Sequence, residues 1–291
     1  MRRLDIARLF LLALIWGASF LLMRIEVPAL GAMLTANARV AIAAVALIAL
    51  LIQRGVKLKT LLRPEVLIVG ISNSALPFAL FAWGSRTLPA GYLAVLNATS
   101  PLFGALLAAF WLDDPLTPRK LSGLAAGIGG VTLLVRLGPV ALSEEAVVAV
   151  VACLLGALSY AFATNYMKRH RSSLPPTVLA TGSQVAATLV LIPFAWVGAG
   201  PVVMSMSVAL GMLLLGLVCT AGAYLLYFRL VTDVGPAKAL TVTFLVPLFA
   251  MFWGALVLGE VVTPRFVAGA LAVLAATWLV AFDRRQTLKP T

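Results

Sequence analysis

Residues 117–127 read TPRKLSGLAAG and residues 263–270 read TPRFVAGA, the same turn and helix opening 146 positions apart. The offset holds well beyond the tripeptide. Pro101-Leu102-Phe103 aligns with Pro247-Leu248-Phe249, Ala109 with Ala255, Leu112 with Leu258, Asp114 with Glu260, and Gly123 with Gly269. Near the front of each half, WGASF (Trp16 to Phe20) echoes GALSY (Gly156 to Tyr160) at an offset of 140. The chain therefore reads as a duplication, with halves at 1–140 and 141–291. In each copy the threonine suits a helix cap and the proline suits the first helical turn, so locally Thr-Pro-Arg reads as a helix start.

Composition says what the duplicated unit is made of. The chain is 62% hydrophobic and 11% charged, far from the roughly 25% charge of a soluble domain. Apolar runs of about 20 residues, enough to cross a hydrocarbon core as helix, are separated by short polar clusters. They predict ten spans, at 6–24, 31–53, 65–84, 88–112, 119–136, 146–167, 175–197, 206–230, 236–258 and 264–282. The fold class is an all-α membrane protein, five spans per half. Five is odd, so the second copy enters the bilayer from the opposite side. Inverted repeats of this kind permit two exchangeable packings about a central site, the usual basis of alternating access.

The opening MRRLDIARLFLLALIWGASF has a basic head and an apolar stretch; it reads as the first span rather than a cleaved signal, since no small-residue cleavage site follows. Cys153 and Cys219 fall inside predicted helices and read as small core residues. The net charge of +12 is informative through its distribution. One side of the bilayer collects Arg2, Arg3, Arg8, Arg54, Lys57, Lys59, Arg63, Arg119, Lys120, Lys168, Arg169, Arg171, Arg229, Lys238, Arg284, Arg285 and Lys289. The other receives Arg24, Arg86, Arg136 and Arg265. That bias places both termini in the cytoplasm, and the basic residues are topological anchors rather than a nucleic-acid surface.

With these stretches in hand, the sequence resembles the drug/metabolite transporter superfamily, specifically its ten-helix exporters built from two EamA-type repeats. The resemblance covers nearly the whole chain. It is carried by WGASF, by ANARVAIAA (Ala36 to Ala44), by AGYLAVLNATSPLFGALLAAFWLDDPLTPRKLSG (Ala90 to Gly123) and by AKALTVTFLVPLFAMFWGALVLGEVVTPRFVAG (Ala237 to Gly269). Within the superfamily it looks most like bacterial amino-acid exporters of the YddG kind. The resemblance implies a bacterial inner-membrane setting and a central cavity bounded by four helices of each half, with the fifth and tenth as peripheral braces. Gly123 and Gly127, and Ala268, Ala272 and Ala276, give those braces small-residue stripes, suited to packing within the bundle or to a dimer contact. A functional monomer is expected.

The expected binding residues are Trp16, Ser19, Arg39, Asn73, Phe78, Tyr92, Asn97, Ser159, Tyr160, Tyr224 and Thr243, drawn from a wider set that includes Ser74, Thr220 and Tyr227. Trp16 stands out because it lies midway along its span rather than in an interfacial belt. Pro101 and Pro247 fall inside the fourth and ninth spans, where proline removes a backbone hydrogen bond; they read as fixed kinks or as parts of a rocking hinge. Arg39 is the charged residue set deep in a predicted span and should not face lipid. Two roles stand open for it, contact with a substrate carboxylate or bracing of an outer gate.

No acidic residue lies near the middle of a predicted span, and the single histidine, His170, sits in the anchor cluster MKRHR. Neither an enzyme constellation, nor a metal site, nor a phosphate-binding glycine loop can be read from the sequence, so no cofactor and no ATP motor are expected. A site of aromatic rings, hydroxyls and one cation suits zwitterionic or weakly anionic solutes. Export of amino acids, including aromatic ones, is the expected function. Multidrug or nucleoside and sugar export is the alternative, and a membrane-embedded enzyme the distant one.

Overall fold

A computed structural model describes residues 1–137, 140–141, 143–170, 174–197 and 202–282, the side chains of Pro236 and Ala237 excepted. Arg171, Arg284, Arg285 and Lys289, counted in the charge bias, lie outside the described residues. The described residues include ten long helical segments. We label them α1 (Arg3–Leu30), α2 (Ala32–Gln53), α3 (Pro64–Gly84), α4 (Ala90–Trp111), α5 (Pro118–Leu137), α6 (Glu144–Arg169), α7 (Pro176–Phe194), α8 (Met206–Val234), α9 (Val242–Leu258) and α10 (Pro264–Ala281). Eight of them are long and apolar enough to span a membrane on length and composition. The shorter α9 is apolar throughout. The twenty-residue α5 is diluted by Gly123, Gly127, Gly129 and Gly130 and by basic residues at both ends. This is a multi-pass all-α membrane protein with ten spans.

The two Thr-Pro-Arg openings do the same local work. Thr117 Oγ1 accepts a hydrogen bond from the Lys120 amide, and Thr263 Oγ1 from the Phe266 amide, each at 3.2 Å; these are caps on otherwise orphaned helix donors. Ser143 and Ser205 cap α6 and α8 in the same way. The first span runs further than the apolar run suggested, past Arg24 and Glu26 to Leu30. Its end is set by Gly31, whose φ of 80° turns the chain directly into α2.

Packing is mainly between the halves. The principal partners are α1 with α9 and α8, α2 with α7 and α8, α3 with α6 and α7, α4 with α6 and α9, and α5 with α10. Adding five to each first-half number, and subtracting five from each second-half number, returns the same set of pairs. The α5–α10 pair shows why its stripes are small. A Cβ on Gly123 would stand 2.6 Å from Val280 Cγ2, and one on Gly130 would stand 2.8 Å from the Val273 amide. Gly123, Gly127 and Ala276 are thus consumed inside the chain, where backbones approach closely, whereas Ala268 of the expected stripe is exposed.

Two long helices are locally underwound in corresponding positions. Residues Ile71–Ala75 of α3 and Leu214–Gly222 of α8, the third helices of the two halves, are π-helical. Such wide turns cost regular hydrogen bonding and are common at functional sites. The fourth helix is broken outright at Ala98 and Thr99, and Pro101 opens the segment that follows. Pro101 is therefore a restart rather than a kink within a continuous helix, because its missing N–H falls in a first turn that needs no partner. Pro247 stays inside the continuous α9, where it is buried.

Candidate functional site

The π-helical turns bring polar groups to the middle of the bundle. On α3, Ser72, Asn73 and Ser74 lie on consecutive positions. The Asn73 amide donates to Tyr224 Oη at 3.3 Å, and the Ser72 carbonyl accepts from Ser159 Oγ at 2.8 Å. Gln184 of α7 donates to Ser74 Oγ at 3.0 Å. On α8, Thr220 Oγ1 donates to the Leu215 carbonyl at 2.8 Å, five residues back, and accepts from Arg39 Nε at 2.8 Å. The loosened backbone of each π segment thus supplies acceptors that a regular helix would have used internally.

Arg39 is the centre of this group. It is 5% exposed, its guanidinium carbon stands 4.0 Å over the Phe78 ring, and its Nη1 points to Met23 Sδ at 3.7 Å. Tyr160, Tyr224 and Cys219 lie within its electrostatic reach. Among the described residues no carboxylate pairs with it. A guanidinium carries five donors in a planar fork, and one hydroxyl, one thioether and one ring face satisfy only part of that capacity. Trp16 packs on Tyr227 with ring centroids 5.4 Å apart, next to the Tyr224–Phe228 stack at 6.0 Å. Tyr160, Tyr224, Asn73 and Trp16 are each only partly buried.

The sequence-derived residues therefore divide. Trp16, Arg39, Asn73, Phe78, Tyr160 and Tyr224 belong to one aromatic and hydroxyl-rich cluster, and Ser159 braces its α3 wall. Ser19 is buried on α1 one turn from Trp16. Tyr92 lies elsewhere: it is 2% exposed, stacked on Phe266 at 4.6 Å, and its hydroxyl donates to the Leu134 carbonyl at 3.1 Å. That arrangement ties α4 to α5 and α10, and two small clefts flank it rather than the central cluster. Asn97 sits at the α4 break, its carbonyl bonded by Ser100 Oγ, and Thr243 bonds back to Leu240 at the start of α9. Gln184 and Ser72 were not among the expected residues; the polar run TGSQ within an apolar span was the available signal for Gln184.

Ionic contacts join helices toward both ends of the bundle. At one end Arg24 Nε meets Glu260 Oε1 at 3.3 Å and Arg24 Nη1 donates to the Ser85 carbonyl at 2.8 Å. Both Glu260 oxygens accept from the Ala90 amide, at 3.1 and 2.9 Å, at the start of α4. Burial raises the Glu260 carboxyl above its ordinary range, with the Ala90 amide and Arg24 pulling it back. At the other end Arg8 of α1 pairs with Asp233 of α8 at 2.7 Å, and Arg229 joins the same carboxylate at 3.0 Å. Cys153 and Cys219 are buried free thiols.

Comparison with known proteins places this architecture. The sequence profile of the EamA-like transporter family matches residues 5–136 and again 147–282. The "uncharacterized inner membrane transporter YedA" of Escherichia coli (strain K12) is 28% identical over 264 residues, covering 87% of this chain and 82% of the relative. The "probable terminal-alkyne amino-acid exporter" of Streptantibioticus cattleyicolor is 26% identical over 283 residues, covering 96% and 93%. A solved crystal structure superimposes with a TM-score of 0.68 at 17% identity, covering 99% of this chain and 100% of that one, a likeness of fold alone. With two profile matches spanning most of its length, the chain belongs to the EamA-like transporter family.

Proposed function

We propose that this transporter exports amino acids, aromatic ones included, across a bacterial inner membrane by alternating access, as a monomer with both termini in the cytoplasm and without ATP. The observation that carries the reading is Arg39, buried at the centre with donors to spare and no acidic partner among the described residues. A substrate carboxylate is the group that would complete it, by charge-assisted hydrogen bonds in a place where water competes poorly. Trp16, Phe78, Tyr160 and Tyr224 then border the space for a side chain, and Asn73 and Tyr224 supply polar contacts. The likeness to an amino-acid exporter lends the same direction.

Alternating access rests on the 146-residue repeat, on five spans per half and on a helix pairing that maps onto itself when the halves are exchanged. The Arg24–Glu260 and Arg8–Asp233 contacts then act as outer and inner closures, released in turn. No catalytic chemistry is assigned to the cluster. The test is binding to purified protein: amino acids against their decarboxylated amines, in the wild type and Arg39→Gln. Amino acids should stabilise the wild type and the amines should not. Equal stabilisation by both would remove the carboxylate from the account.

A further inference from the structure

Glu26 lies on α1 one turn beyond Met23, fully buried at 0% exposure. Neither carboxyl oxygen has a hydrogen-bond partner among the described residues, and no cation pairs with it there. The carboxyl is held against Gly211 of α8, whose missing side chain makes the room: a Cβ there would overlap Glu26 Oε1. The charged groups nearby are otherwise engaged. Arg24 is taken by Glu260 and Ser85, and Arg39 on α2 by Thr220, Met23 and Phe78. The other titratable side chains on helices packed against α1 are Tyr92 on α4, Glu65 on α3 and, on α8, Cys219, Tyr224, Tyr227, Arg229 and Asp233; α9 carries none. Arg229 and Asp233 are in the ion cluster with Arg8 at the other end of α1, and Glu65 opens the first turn of α3.

A carboxylate with no donor and no cation is among the costliest groups to bury, and gaining a proton removes the charge. We infer that Glu26 is a proton-binding site that makes closure of this half of the transporter proton-dependent. The step is a simple protonation: Glu26 COO⁻ takes one H⁺ from the solution on its own side as an O–H bond, with no electron transfer, and the neutral acid then seats against Gly211. In the orientation of the proposed function, on which this placement rests, that solution is the outer one. The site is linked to the central cluster through both helices that form it. Met23, one turn away on α1, contacts Arg39, and Gly211 leads into the π-helical turn that carries Thr220.

Two substrate-free measurements test this, so the amino-acid assignment can stand or fall separately. Infrared difference spectra of purified protein across a pH titration should show the carbonyl stretch of a buried carboxylic acid, absent in Glu26→Gln. Spin labels at the exposed positions Val203 and Val261, as Val203→Cys and Val261→Cys in a background without Cys153 and Cys219, should report a longer distance as pH rises. The ratio of closed to open should fall by on the order of a hundredfold across the titration, while Glu26→Gln stays closed throughout. An acid band that survives in Glu26→Gln, or an unchanged pH response in that variant, would overturn the inference. If Glu26→Gln does not fold, Gly211→Ala decides: displacing the carboxyl must shift or abolish the band, and an unaltered band overturns the inference equally.

Discussion

Arg24 and Glu260 meet at 3.3 Å across 236 residues of sequence, and the same carboxylate caps the first amide of α4. One side chain thereby joins α1, the α9–α10 connection and the start of α4. Asp114, its counterpart in the repeat, accepts a hydrogen bond from Lys120 Nζ at 2.7 Å near the start of α5.

Removing that junction should loosen the end of the bundle where it lies. Charge-assisted hydrogen bonds contribute about 1.5–3 kcal/mol each, so Glu260→Gln should raise the rate at which buried Cys153, packed behind Gly84, reacts with a membrane-impermeant thiol reagent by roughly tenfold or more. Measured at one pH in a Cys219→Ala background, an unchanged rate would mean that the contact does not hold the end shut.

Arg39 should matter through its shape as well as its charge. Arg39→Gln should weaken amino-acid binding by roughly 10–100-fold, the scale of a charge-assisted pair. Arg39→Lys should restore only part of it, since an ammonium neither stacks on Phe78 nor presents a fork. Titration calorimetry on the three proteins checks this, and full rescue by lysine would reduce Arg39 to a point charge.

Trp16 packs on Tyr227 and borders the cluster, so Trp16→Ala should weaken substrates with aromatic side chains more than small ones. An aromatic pair is worth about 0.5–1.5 kcal/mol beyond its buried area, or up to about tenfold in apparent affinity. A uniform loss across the substrate panel would indicate damage to packing rather than to recognition.

The α5–α10 brace should be separable from transport chemistry. Gly130→Leu drives a side chain into the Val273 backbone, and overpacking of this kind costs about 1–3 kcal/mol. The apparent melting temperature in detergent should fall while ligand affinity of the folded fraction is kept. A large loss of affinity without loss of stability would bring α5 into the site.

How far the sequence could be read follows from what hydropathy measures. It registers stretches that avoid water, so ten spans and the repeat were legible, and Thr117 and Thr263 could be recognised as caps from local chemistry. It does not register which face of a helix meets a neighbour. Tyr92 looked like its aromatic companions in the centre, yet the Leu134 carbonyl claims its hydroxyl. The predicted first span stopped at Arg24, although the helix continues to Leu30 and burial against Gly211 keeps Glu26 inside the bundle. The π-helical turns were invisible because they depend on non-local contacts such as Ser159 on the Ser72 carbonyl.

The central claim is amino-acid transport, and the direct measurement is uptake of a labelled amino-acid panel into proteoliposomes, beside empty vesicles and the Trp16→Ala variant. The account predicts saturable uptake of several amino acids by the wild type, weakened in the variant. No uptake of any amino acid by protein shown to be folded would contradict it.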